Sequence, residues 1–261
     1  MAIPHPTPPV SLTPNDARIL TALFDPETLP SNISTSKSPS TIDPSLPAHP
    51  SIPSERLNAL EARQNELVKR TANASGEEAE KILEEVEYEL HAIIKEEAEY
   101  PSAYLNRAML RRMRLENAMN CSTPTSPSET ASEKASPPTQ SIFTYHPESH
   151  IEPIFADLSK AITLSTPSPS TSPASTYQAR ILRTAHSHRA YLYLKASESG
   201  NGKLFKGRSK TDLEELASRD FSQAAKYGDE VAREMSVRTN PYAKMCGAIV
   251  RNALREERGE V

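Results

Sequence analysis

The chain has 261 residues, a formal charge of −4, 23 prolines, 7 glycines and no tryptophan. Its 36 % of hydrophobic residues falls below the roughly 45–50 % of an ordinary globular chain, so part of it buries no core. The acidic balance argues against general nucleic-acid binding, the two cysteines are too few for a disulfide framework, and no segment approaches a membrane span.

The opening MAIPHPTPPV lacks the basic-then-apolar order of a secretory signal, and its prolines oppose an amphipathic transit helix. The expected compartment is the cytoplasm, or the nucleus. Residues 1–14 are proline-rich and read as disordered. Residues 15–25 read as a short helix: Asn15 caps it, Ile19, Leu20, Leu23 and Phe24 form its apolar face, and Asp25-Pro26 stops it. Residues 29–53 are rich in Ser, Thr and Pro and read as a linker.

A helical domain is expected over 54–258. The first helix starts at Ser54, read as its cap, and the second runs from Glu77 to about Glu99 with Ile82, Val86, Leu90 and Ile93 inward. Pro101 suits the first turn of a third helix ending near Asn120. Residues 121–147 read as a low-complexity insert, followed by a helix from Glu148 to Leu164. Residues 165–175 are another Ser/Thr/Pro insert. A helix over Thr176–Ala196, a Gly/Lys-rich insert over 197–210 and a helix ending at Tyr227-Gly228 come next, with Thr211-Asp212 as its capping region and Gly228 as its stop. Residues 229–258 read as a cap of two helices, the second opened by Pro241. No segment has a strand pattern.

The helices repeat. Val86-Leu90-Ile93, Ile154-Leu158-Ala161 and Ala217-Phe221-Ala224 share spacings of four and three, which place each trio on one stripe of a helix. The preceding helices carry a bulky residue four before a small one: Tyr104 with Ala108 and His186 with Ala190, weakening to Leu60 with Gln64 in the first pair. A small residue admits a close helix approach, and one pair cannot bury its own face, so about three must stack. The arrangement resembles the tetratricopeptide repeat, which implies an all-α, right-handed superhelical solenoid of three such helix pairs with an N-terminal helix and C-terminal capping helices. The repeats fall at about 54–99, 101–164 and 176–228.

Four segments narrow the pattern: NDARILTALFDPETLP, YPSAYLNRAMLRR, DLSKAITLS, and the tail from Asp220 to Cys246, which ends in Asn240-Pro241-Tyr242-Ala243. On these the chain resembles the tetratricopeptide repeat protein 36 family, small three-repeat proteins. The low-complexity inserts and the poorly matching first repeat depart from that family's compact pattern. The resemblance implies a non-enzymatic adaptor or co-chaperone that binds a partner protein, either an Hsp70-type chaperone or a client enzyme, with a link to tyrosine catabolism. No cofactor and no metal are expected, because no phosphate loop or standard zinc spacing occurs in the sequence. A scaffold subunit with no chaperone link is the alternative.

In such an array the first helix of each pair lines the groove. Asn58, Glu61, Asn65, Lys69, Ser102, Asn106, Met109, Arg112, Met113, Thr184, His188, Tyr191 and Lys195 take those positions here. Of these, Asn65, Asn106, Met109, Arg112, His188, Tyr191 and Lys195 are the candidate partner-binding residues. Chaperone-binding relatives grip a carboxylate tail with lysine, arginine and asparagine donors. Asn65 and Asn106 fall on the asparagines of that clamp, His188 on an arginine-like site, and Glu61 and Thr184 where lysines are wanted. The clamp is therefore partial.

Other features read as structural. His186 and His188 are two apart on a helix and do not face each other, and with His146 and His150 they fit no zinc spacing. Arg107, Arg111, Arg112 and Arg114 either favour an acidic partner or pair with glutamates such as Glu85 and Glu89. Cys246, beside Tyr242, is expected to be buried. Ser126-Pro127, Ser136-Pro137, Thr166-Pro167 and Ser172-Pro173 are either phosphorylation sites or chance pairs of a Ser/Pro-rich linker.

Overall fold

The computed structural model describes residues 41–74, 78–121, 141–199 and 205–258. All of them lie in one compact unit, Thr41–Val261. The expected helix over 15–25, most of the 121–147 insert, and Ser126 and Ser136 lie outside the described residues.

Nine α-helices are described: α1 Ser54–Ala72, α2 Ala79–Glu96, α3 Pro101–Cys121, α4 Ile142–Tyr145, α5 Glu148–Ser165, α6 Thr176–Glu198, α7 Lys210–Lys226, α8 Glu230–Thr239 and α9 Pro241–Glu257. Among the described residues no strand occurs, and one isolated parallel bridge joins Ile42 to Ala174. Each long helix packs on the next: α1 on α2, α2 on α3, α3 on α5, α5 on α6, α6 on α7 and α7 on α8. α3 also meets α6.

Local chemistry sets the helix ends. Ser175 accepts from the Gln178 backbone while the Gln178 side chain accepts from the Ser175 N–H, a reciprocal cap that opens α6. Ser209 and Asp212 do the same for α7, and Ser141 and Thr144 for α4. The cap of α7 is thus Ser209, two residues before the expected Thr211, with Asp212 as its reciprocal partner. Ser54 is not a cap: Pro53 takes that place and offers no side-chain acceptor. Gly228 ends α7 at φ +87°, the left-handed region where a Cβ is disfavoured. Asn240 Oδ1 accepts from the N–H groups of Tyr242 and Ala243 and opens α9, with Pro241 where no donor is needed.

All nine residues of the three stripes are buried: Val86, Leu90, Ile93, Ile154, Leu158, Ala161, Ala217, Phe221 and Ala224. So are Tyr104 with Ala108, His186 with Ala190, and Leu60 with Gln64. The side chains Ala190, Ala217, Phe221, Ala224 and Ala232 form one apolar cluster joining α6, α7 and α8.

Three further expectations need correction. The linker reading fails for 41–53: Asp43 N donates to Ala174 O, Ala174 N donates to Thr41 O, and Ser175 Oγ donates to Ala48 O. His49 and Ile52 in this segment are buried. His49 Nδ1 accepts from the Ser51 and Ile52 N–H groups and Nε2 donates to Glu99 O, so buried hydrogen bonds hold a segment that has few apolar side chains. Second, 141–147 is not low-complexity insert: Ile142 is buried, and Phe143 meets Phe205 edge to face at 5.6 Å. Third, Cys246 is exposed, as is Tyr242, because α9 buries no residue.

Candidate functional site

Between α1, α2 and α3 lies a cleft of about 380 Å³. Its floor is apolar: Leu67 from α1, Val86 and Leu90 from α2, and Leu110 from α3 are all buried. Val68, 45 % exposed, stands at the mouth with Thr71, Met109 and Met113. Asn106, Arg112 and Glu116 supply the polar lining. A cavity of this size, apolar with a few polar groups, suits a ligand or a partner's side chains.

The polar end continues onto α6. Arg112 Nη1 donates to His188 Nδ1 at 3.1 Å, and the guanidinium lies 5.5 Å from the centre of the Tyr191 ring. Lys195 Nζ lies 5.8 Å from the same ring and pairs with Glu198 at 2.9 Å. Burial, reinforced by the adjacent Arg112 charge, lowers the His188 pKa to about 4. His188 is therefore neutral near pH 7 and accepts from Arg112 without repelling it.

Six of the seven candidate residues are placed along this continuous face. Asn106, Met109 and Arg112 line the cleft, and His188, Tyr191 and Lys195 extend it. Asn65 is exposed on α1 and does not line the cleft. The wider set divides. Ser102 is buried and accepts from Gln64 Nε2, Glu61 pairs with Arg180, Lys69 pairs with Glu66, and the Thr184 hydroxyl donates to Arg180 O. Asn106 makes no side-chain hydrogen bond among the described residues, so it is not spent on neighbouring backbone. The sequence reading missed Leu67, Val68, Thr71, Val86, Leu90, Leu110 and Glu116 as cleft residues. Glu116, one helical turn after Arg112, was the available signal.

The arginine run does bond carboxylates, but not Glu85 and Glu89. Arg107 forks onto Asp157, with Nε to Oδ2 at 2.9 Å and Nη2 to Oδ1 at 2.6 Å. Arg111 reaches Glu87 and Asp157, and Arg114 reaches Glu80, Glu84 and Glu87. Arg70 takes Glu85 and Glu89. The Arg107 fork recurs between α6 and α7, where Arg189 Nε meets Asp220 Oδ2 at 2.6 Å and Nη2 meets Oδ1 at 2.8 Å. His186 Nδ1 lies 2.8 Å from the same carboxylate. Burial pushes the Asp220 pKa up, but the hydrogen bonds and charges of Arg189 and His186 outweigh it and hold the group below the usual carboxylate value.

Among the described residues no group of three His, Cys, Asp or Glu side chains is arranged for a metal ion. His146 Nε2 donates to Leu115 O. No described helix is long and apolar enough to cross a membrane.

The described residues thus form an all-helical unit whose chain-neighbour helices enclose an apolar cleft with a guanidinium at its rim. No family model matches the chain, and no solved structure matches it. It is 39 % identical over 260 residues to the L-tyrosine degradation gene cluster protein hmgX of Aspergillus fumigatus, across 95 % of this chain and 93 % of that protein. The chain belongs to the family of that protein.

Proposed function

We propose that the chain is a non-enzymatic adaptor of tyrosine degradation that holds a partner protein on the face running from the α1–α3 cleft to Lys195. The partner is an Hsp70-type chaperone or a client enzyme of the pathway. The observation that carries this reading is the cleft itself, an apolar cavity open at a mouth lined by Val68, with Asn106, Arg112, His188 and Tyr191 beside it. The name of the hmgX relative supports the pathway. Sequential packing of helix pairs supports a right-handed superhelical array of the tetratricopeptide type, as in the tetratricopeptide repeat protein 36 family. The compartment proposed is the cytoplasm or nucleus.

The test is affinity purification of the tagged protein from its own cells grown on tyrosine. Recovery of a tyrosine-degradation enzyme or an Hsp70-type chaperone, lost when Met109 and Val68 are replaced by aspartate, supports the adaptor. Recovery unaffected by those substitutions sinks the placement of the site. Turnover of a pathway intermediate by the purified protein would overturn the non-enzymatic reading. For the chaperone branch, Asn65→Ala with Asn106→Ala is decisive: unchanged affinity for a chaperone tail peptide excludes the partial clamp.

A further inference from the structure

An apolar groove needs no unspent buried donor, yet one stands at this cleft. Arg112 Nε is buried and makes no hydrogen bond. Glu116 Oε1 is 3.3 Å away, an ion-pair distance, but off the line of the N–H. The other contacts of Arg112 are to a ring nitrogen and a ring face, His188 and Tyr191. The Asn106 side chain lines the same cleft, half-buried. Leaving a buried donor unmet is unfavourable, more so on a charged group, so the site is built to receive an acceptor. Among the described residues that line the cleft, Arg112 is the one cation, and its partner there is Glu116. One cation beside a floor of Leu67, Val86, Leu90 and Leu110 complements one carboxylate beside one large apolar side chain.

We propose that the cleft binds a chain-internal segment of the partner in which a large apolar residue adjoins an aspartate or glutamate. The apolar side chain fills the floor. The carboxylate displaces Glu116 and accepts from Arg112 Nε. No free chain end is required. This rests on the adaptor reading and specifies the chemistry of its partner.

The probe is a pair of acetylated, amidated peptides with a central Leu-Asp or Leu-Asn, titrated into the full chain by NMR or fluorescence anisotropy. The Leu-Asp peptide should bind about tenfold more tightly, the scale of one charge-assisted hydrogen bond. Arg112→Gln should abolish that preference. Glu116→Gln, which removes the competing carboxylate, should strengthen Leu-Asp binding about threefold and leave Leu-Asn unchanged, a gain that damage to the fold does not produce. Equal binding of the two peptides, no binding at millimolar concentration, or weaker Leu-Asp binding with Glu116→Gln overturns the proposal. Recovery of a pathway partner from cells that persists in Arg112→Gln also overturns it, while leaving the adaptor reading standing.

Discussion

Arg107 and Asp157 join α3 to α5 in the same fork that Arg189 and Asp220 make between α6 and α7, and the pair α1/α2 has no counterpart among the described residues. The positions do exist in the first pair. Each forking arginine precedes the small residue of its helix, Ala108 or Ala190, and each aspartate precedes the middle residue of its stripe, Leu158 or Phe221. In α1 and α2 these places hold Arg63 and Glu89, which bond Glu96 and Arg70 instead. The aspartate side chains are 6 % exposed, whereas Arg63 is 41 % and Glu89 37 % exposed. The repeat therefore sets where charges sit, and burial decides what they contribute. A desolvated fork fixes the register of two helices, while an exposed pair is screened and contributes little.

The largest effect should come from breaking a buried fork. Asp220→Ala strands Arg189 beside His186 and should cost about 3–5 kcal/mol in denaturant unfolding. Replacing both partners, Arg189→Met with Asp220→Leu, should recover most of that loss. A loss below 1 kcal/mol for Asp220→Ala would remove the distinction between the helix pairs.

Acid should act next. The His188 pKa is lowered by burial to about 4, so its stabilising contribution is complete above the unfolded value near 6.5. That contribution is lost as pH falls from there toward 4, by about 2–3 kcal/mol in all. Asp220, whose pKa is lowered in the fold, loses its contribution only below the unfolded value of 3.8. Stability measured across pH 7 to 4 should therefore fall in wild type and fall less in His188→Phe. Identical slopes would contradict the neutral His188.

Two smaller effects complete the comparison. Gly228→Ala should cost about 1 kcal/mol, from backbone strain alone, since a Cβ there would meet no atom within 4 Å. Arg70→Ala, removing an exposed double ion pair between α1 and α2, should change stability by less than about 1 kcal/mol and weaken in its effect as salt rises. If Arg70→Ala proves as damaging as Asp220→Ala, surface pairs hold α1/α2 as firmly as forks hold the later pairs.

Much of the helical layout was legible. Most helix ends lie within two or three residues of those read from caps, prolines and Gly228, and the three stripes are buried. What escaped was carried by polar contacts between distant segments. His49 holds 41–53 against Glu99, fifty residues away, and no local periodicity announces that. Cys246 was misplaced because α9 has an apolar side, with Tyr242, Met245, Ile249, Val250 and Leu254, yet buries none of it. At the candidate site, Met109 and Arg112, expected in the groove from the resemblance to a tetratricopeptide array, line the cleft, which also needed Val86 and Leu90, residues read only as core.

The sequence by itself determined the helices and which stripe of each turns inward, because capping and 3.6-residue periodicity act within one turn or two. Only the tertiary structure decided which arginine meets which carboxylate, and that Arg112 comes to rest between Glu116, His188 and Tyr191 with a donor to spare. Long charged side chains reach across helices, and their partners depend on packing and desolvation that no local spacing encodes.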